Sequence, residues 1–168
     1  MKLEDVQNAL SQINPADIEK LSQLVNNASQ VILIGNGGSN AIASHIAVDY
    51  VKFLKKKSLA FSDPSMLTAF MNDCGTEYAY KEYIRNMHQD NGLVILISSS
   101  GNSLNIYFAA EYCKCNNIDF VILTGFKEDN SVRATFKNDA KLEYWVNSNS
   151  YGTVECVHQI FLHMIVDN

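Results

Sequence analysis

Two prolines and eight glycines among 168 residues are too few for a fibrous or low-complexity chain. No apolar run approaches the roughly 18 to 20 residues that a membrane-spanning helix needs, so no membrane partner is expected. Positive charge is also scarce. Thirteen Lys plus Arg stand against 18 Asp plus Glu, a formal charge of -5, which argues against a nucleic-acid partner. Any phosphate bound here must therefore be held by local features. The opening MKLEDVQNALSQ has neither the cationic start nor the apolar centre of a signal peptide, so a cytoplasmic location is expected. The four cysteines, Cys74, Cys113, Cys115 and Cys156, lack paired zinc-type spacing and are expected as reduced thiols. What the chain does have is apolar residues, 47% against 18% charged, which suits one domain over 1–168 that buries about two-thirds of its unfolded surface.

Leu3, Val6, Leu10 and Ile13 recur at helical steps and predict a short helix ending before Asn14-Pro15. A second helix follows, with Asn14 as cap, Pro15 at its first position and an apolar stripe of Ile18, Leu21, Leu24 and Val25. Residues 1–29 thus read as a helical appendage to a core of 30–168. Its apolar face can pack on its own sheet or on a partner subunit, and the partner is expected. From residue 31 the pattern changes. Val31 to Ile34, Leu93 to Ile97, Phe120 to Leu123 and Leu142 to Val146 read as strands, with a weaker one at Ser58 to Phe61 and helices of about 12 to 16 residues between them. Strands buried on both faces and alternating with helices imply a three-layer α/β/α sandwich around a five-stranded parallel sheet. Ligands of such sheets lie beyond the strands' carboxyl ends, where strand order reverses, so the loops after Ile34 and Ile97 matter most. Lys55-Lys56-Lys57 reads as a solvated helix end.

The first of these loops is Gly35-Asn36-Gly37-Gly38-Ser39, followed by a helix. Its glycines allow close backbone approach, and a helix start offers unpaired N–H groups to an anion. It has neither Walker A spacing nor a complete GxGxxG, so no nucleotide or redox cofactor is expected. The second loop, Ser98-Ser99-Ser100-Gly101-Asn102-Ser103, puts four hydroxyls at another helix start. Capping needs only one or two, and the surplus suits phosphate oxygens. Beyond the loops, His45 and Asp49 share a helix face, as do Glu155, Gln159 and His163. That spacing permits either a metal site or an acid/base pair.

These motifs resemble the sugar isomerase (SIS) domain and, within it, the phosphoheptose isomerases. The residues that carry the likeness are GNGGS at 35 to 39 with His45 and an acid at 49, Asn72-Asp73, SSSGNS at 98 to 103 and ECVHQIFLH at 155 to 163. The resemblance implies a flavodoxin-like sandwich, a homotetramer with sites shared between subunits, and a phosphorylated sugar as substrate. The implied reaction is aldose-ketose isomerisation of sedoheptulose 7-phosphate to D-glycero-D-manno-heptose 7-phosphate through an enediolate, for bacterial surface polysaccharide. It places the base at Asp49, its acid partner at His163 and a functional acid at Asp73. Phosphate contacts fall to Asn36, Gly37, Gly38, Ser39, Ser98, Ser99, Ser100 and Ser103. His45, Asp49, Glu155 and His163 are implied as the residues that can hold zinc. Three positions depart from the pattern. Asp49 is one methylene shorter than the family's glutamate, Glu155 stands in place of a glutamine, and Gly152 stands where an acid is common. Other readings are an isomerase of a different sugar phosphate, or a SIS module that binds a sugar phosphate or a protein without catalysis.

Overall fold

A computed structural model describes residues 2–166. The apolar runs form five parallel strands: β1 (Val31–Gly35), β2 (Ser58–Ala60), β3 (Leu93–Ser98), β4 (Asp119–Gly125) and β5 (Leu142–Val146). They lie in the order β2-β1-β3-β4-β5. Every residue of β1 and β3 is buried, as expected of strands covered on both sides. Alternate side chains serve two cores. Leu33, Ile95 and Val121 face a layer built from α1 (Leu3–Leu10), α2 (Pro15–Asn27), α3 (Gly38–Lys52) and α8 (Tyr151–His163). Ile32, Val94 and Ile122 face α4 (Pro64–Cys74), α5 (Ala79–Met87), α6 (Leu104–Cys115) and α7 (Ser131–Phe136). The expected sandwich is therefore present. Among the described residues no helix is long and apolar enough to cross a membrane.

Strand order reverses between β1 and β3, which pair directly with Gly35 level with Ile97. The glycine and serine loops thus leave the sheet side by side, at the edge where ligands of this topology bind.

Three expectations need correction. The stretch between β2 and β3 holds two helices shorter than the expected length of about 12 to 16 residues, because Gly75, at φ +86, closes α4 after 11 residues and a second helix, of 9 residues, starts at Ala79. α7 has only six residues. The appendage packs on its own chain, where Leu21 and Val25 are fully buried, α1 contacts α8 and α2 contacts β5. Asn14 caps α2 as expected, its Oδ1 accepting from the Ala16 N–H at 3.0 Å. The far end of α2 is tied down from the lysine run: Lys56 Nζ donates to the carbonyls of Asn26 and Ala28 at 3.0 and 2.7 Å. A cation there also opposes the negative end of the helix dipole.

His158 on α8 makes the fold sensitive to acid. It is fully buried, with Nε2 donating to the Thr124 carbonyl at 3.0 Å and Nδ1 unpartnered, and burial pushes its pKa down to about 4. In the unfolded chain the same ring takes a proton near about 6.5. Stability should therefore be intact above about pH 6.5 and fall as pH drops towards 4, by about 2 kcal/mol between about pH 7 and about pH 5. Urea melts at the two pH values check this, and His158→Gln should shrink the difference between them.

Candidate active site

Among the described residues, four of the eight helices start with a side-chain cap. Asn14, Asp63, Asn130 and Ser150 close α2, α4, α7 and α8. The two helices that leave the candidate phosphate loops do not, and nor do α1 and α5. The N-cap of α3 is Gly37, at φ +52, and that of α6 is Ser103, whose hydroxyl makes no capping bond. The N–H groups of Gly38 and Ser39 on α3 and of Leu104 and Asn105 on α6, together with the Ser103 hydroxyl, face no protein acceptor among the described residues and can serve an anion, with two positive dipole ends behind them. Between the loops lies a cavity of about 130 Å³, lined by Ser39, Ser98, Ser99, Ser100 and Ser103 together with Asn36, Tyr151 and Glu155. No lysine or arginine lines it. The Ser39 and Ser99 hydroxyls, 3.4 Å apart, join the two loops, while Ser98 Oγ accepts from the Gly101 N–H at 3.2 Å.

The second group of side chains lies further along α3 and α8. Asp49 Oδ2 is 3.2 Å from His45 Nε2 and 3.0 Å from His163 Nε2, and the two imidazoles meet edge to face at 5.1 Å. One ligand atom from each of the three residues falls within 4.8 Å of the others. His163 Nδ1 is 2.9 Å from the Gln159 carbonyl oxygen. A carbonyl can only accept, so Nδ1 carries the hydrogen. Nε2 is then directed either to share a proton with Asp49 or to lend its lone pair to a cation. Two imidazole nitrogens and one carboxylate oxygen, with positions left open, form a donor set that fits zinc.

Two predicted residues stand apart from these groups. Glu155 lies eight residues before His163, about 12 Å away along the helix, and is not in the three-residue cluster. Its carboxylate leans on Gly38 instead, so closely that a Cβ there would lie 2.5 Å from it. Asp73, at the end of α4, is exposed, does not line the cavity and accepts a bond from Asn72 Nδ2 at 2.8 Å. Gly37 and Gly38 contribute as the turn and first residue of α3. Sequence reasoning missed Tyr151 in the cavity wall, and also Tyr80 and Asn105, which bond to Asn36. Asn105 carried a signal, a polar residue buried in the first turn of an apolar helix. Tyr80 carried none.

No protein-family model matches the chain. A phosphoheptose isomerase from Fusobacterium nucleatum subsp. nucleatum is 30% identical over 154 residues, covering 89% of this chain and 77% of that protein. One from Alteromonas mediterranea is 29% identical over 169 residues, covering 95% and 84%. Among solved structures, phosphoheptose isomerase GmhA from Neisseria gonorrhoeae superposes with a TM-score of 0.86 over 96% of this chain and 90% of its own. At 23% identity that likeness bears on the fold.

Proposed function

This chain belongs to the phosphoheptose isomerase family of sugar isomerase domains, and we propose that it converts sedoheptulose 7-phosphate to D-glycero-D-manno-heptose 7-phosphate, a heptose for surface polysaccharide. The observation that carries the proposal is the layout of the α3–α8 seam. At one end Gly38 meets Glu155 beside the anion cradle, and at the other Asp49 meets His163. The Asp49 carboxylate lies 3.2 Å from His45 Nε2, and from Gly38 to His45 is seven residues, about 10 Å of helix. An extended sugar needs about 9 Å from a 7-phosphate to C2, at ~1.3 Å of advance per bond. The cavity is too small for the whole substrate, since ligand pockets usually measure about 300 Å³ or more. It suits the phosphate, with the carbon chain lying along the seam towards the imidazoles.

In this reading the uncapped N–H groups of α3 and α6 and the serine hydroxyls hold the phosphate. Asp49 removes a proton from C1 while His163 donates one to O2, giving the enediol. Asp49 then returns its proton to C2 as His163 takes the proton from O1, which leaves the aldose. His45, bonded to the same Asp49 oxygen, fixes the direction in which the carboxylate acts. His45, Asp49 and His163 would hold zinc, which when bound supplies Lewis-acid polarisation of the sugar oxygens. We place the chain in the cytoplasm as a homotetramer with sites between subunits. Support for sites between subunits comes from the exposure of the His45 side chain and from an apolar groove of Val48, Val51 and Leu59 alongside it on α3 and edge strand β2.

The test is incubation with sedoheptulose 7-phosphate, with and without zinc, followed by NMR analysis of the product. The heptose 7-phosphate should appear, and zinc at about a hundredfold its Kd should stabilise the fold by about 2.7 kcal/mol, read as a higher Tm. Binding of the intact ketose without isomer formation would instead identify a sugar-phosphate-binding module.

A further inference from the structure

The loop Gly35-Asn36-Gly37-Gly38 contains one side chain, Asn36, and is held from outside through that side chain and through the Gly35 carbonyl. The Asn36 amide is gripped from two other elements. Asn36 Nδ2 donates to Asn105 Oδ1 and Asn105 Nδ2 donates to Asn36 Oδ1, both at 2.9 Å, a reciprocal pair between positions 69 apart in sequence. The Tyr80 hydroxyl, from the first turn of α5, lies 2.7 Å from Asn36 Oδ1 and 2.7 Å from the Gly35 carbonyl oxygen. The backbone sets the polarity of this network. The Ile106 N–H in the first turn of α6 donates to Asn105 Oδ1 at 3.0 Å, so that atom must be oxygen and both amides are oriented. Tyr80 is 2% exposed and Asn105 8%, so water competes poorly for these bonds. Burial also pushes the Tyr80 hydroxyl up to about 12, which keeps it a donor.

We infer that Tyr80 and Asn105 are positioning residues that latch the glycine loop to the start of α6, so that the amides of both phosphate loops face one anion. This rests on the anion-site reading above. Neither residue lines the cavity, so any effect on the ligand passes through the glycine loop, by way of Asn36 and the Gly35 carbonyl. Without the latch a loop of three glycines samples many backbone conformations, and the ligand binds only the competent fraction. Apparent affinity then falls by that fraction, while turnover of bound substrate is preserved.

The experiment titrates the full chain with inorganic phosphate and measures kinetics with sedoheptulose 7-phosphate, for the wild type, Tyr80→Phe, Asn105→Ala and the double variant. Tyr80→Phe should raise the phosphate Kd and the KM roughly fivefold, as for one lost hydrogen bond, and leave kcat within about twofold. Asn105→Ala should raise both further. The double variant should fall short of the product of the two single effects, because both act on Asn36 Oδ1. A Tyr80→Phe protein that melts at a lower temperature but binds phosphate with wild-type affinity has lost only structural support, and overturns the latch. If Asn105→Ala does not fold, Tyr80→Phe alone decides. Failure of the wild type to bind phosphate would remove the anion site itself, and the latch with it.

Discussion

Asp49→Asn is expected to lower the turnover of sedoheptulose 7-phosphate by about 10³-fold, within the range that a positioned acid or base contributes. The substitution keeps the shape of the side chain. With the His163 Nδ1 hydrogen committed to the Gln159 carbonyl, the Nε2 lone pair can accept from the new amide, so α3 and α8 stay joined. What is lost is the proposed capacity to take a proton from carbon. Asp49 is eleven residues from Gly38, about 16 Å along α3, so affinity for inorganic phosphate should stay within about twofold. The same change removes one of the three groups that could hold zinc, and the zinc-induced rise in Tm should shrink with it. Asp49→Glu adds a methylene and should retain turnover, which separates a proton acceptor from a hydrogen-bonding strut. Normal turnover in Asp49→Asn, followed as heptose 7-phosphate by NMR, would remove this residue from the chemistry.

The parts of the site that could be read from sequence are those whose chemistry is local. Glycines and hydroxyls crowd into 35–39 and 98–103, the two loops that border the cavity, and β1 and β3 are continuous apolar runs because both faces are covered. His45 and Asp49 follow from helical spacing alone. The Asp49–His163 contact spans 114 positions and exists only because the topology lays α3 and α8 on the same layer. Glu155 shows the limit of that spacing argument. Residues at 155, 159 and 163 share a stripe, but a stripe gives a face and not a height, and two turns carry Glu155 to the other end of the seam. Between β2 and β3 the pattern was weaker still, since α4 has no fully buried residue to mark a stripe and Gly75 divides the segment. The appendage was ambiguous for a different reason: an apolar helix face does not say which surface it covers, and here Leu21 and Val25 find their own sheet.

Gly101→Ala tests the other half of the site, and its effect should be large for two independent reasons. Gly101 sits at φ +66, where a Cβ is strained by about 1 to 2 kcal/mol. The added methyl would also overlap Asn130 Oδ1 and Cγ. Asn130 cannot withdraw. It is 2% exposed, its Nδ2 donates to the Gly125 and Lys127 carbonyls at 3.2 and 2.9 Å, and its Oδ1 accepts from the Arg133 N–H at 3.0 Å as the cap of α7. The loop must therefore move, although the Val132 N–H holds the Gly101 carbonyl at 2.9 Å. Overpacking and strain together should lower stability by about 3 kcal/mol and weaken phosphate binding at least about tenfold, because the displaced residues are those that carry the hydroxyls. Gly37→Ala is the matched control. It shares a positive φ, +52, but a Cβ there meets nothing within 4 Å, so only the backbone term applies, at least about 1 to 2 kcal/mol because ψ -120 lies outside the left-handed helical region. Urea melts and phosphate titrations of the two variants separate strain from collision. If Gly101→Ala melts and binds like Gly37→Ala, the packing of the serine loop against α7 is not what holds the cradle in shape.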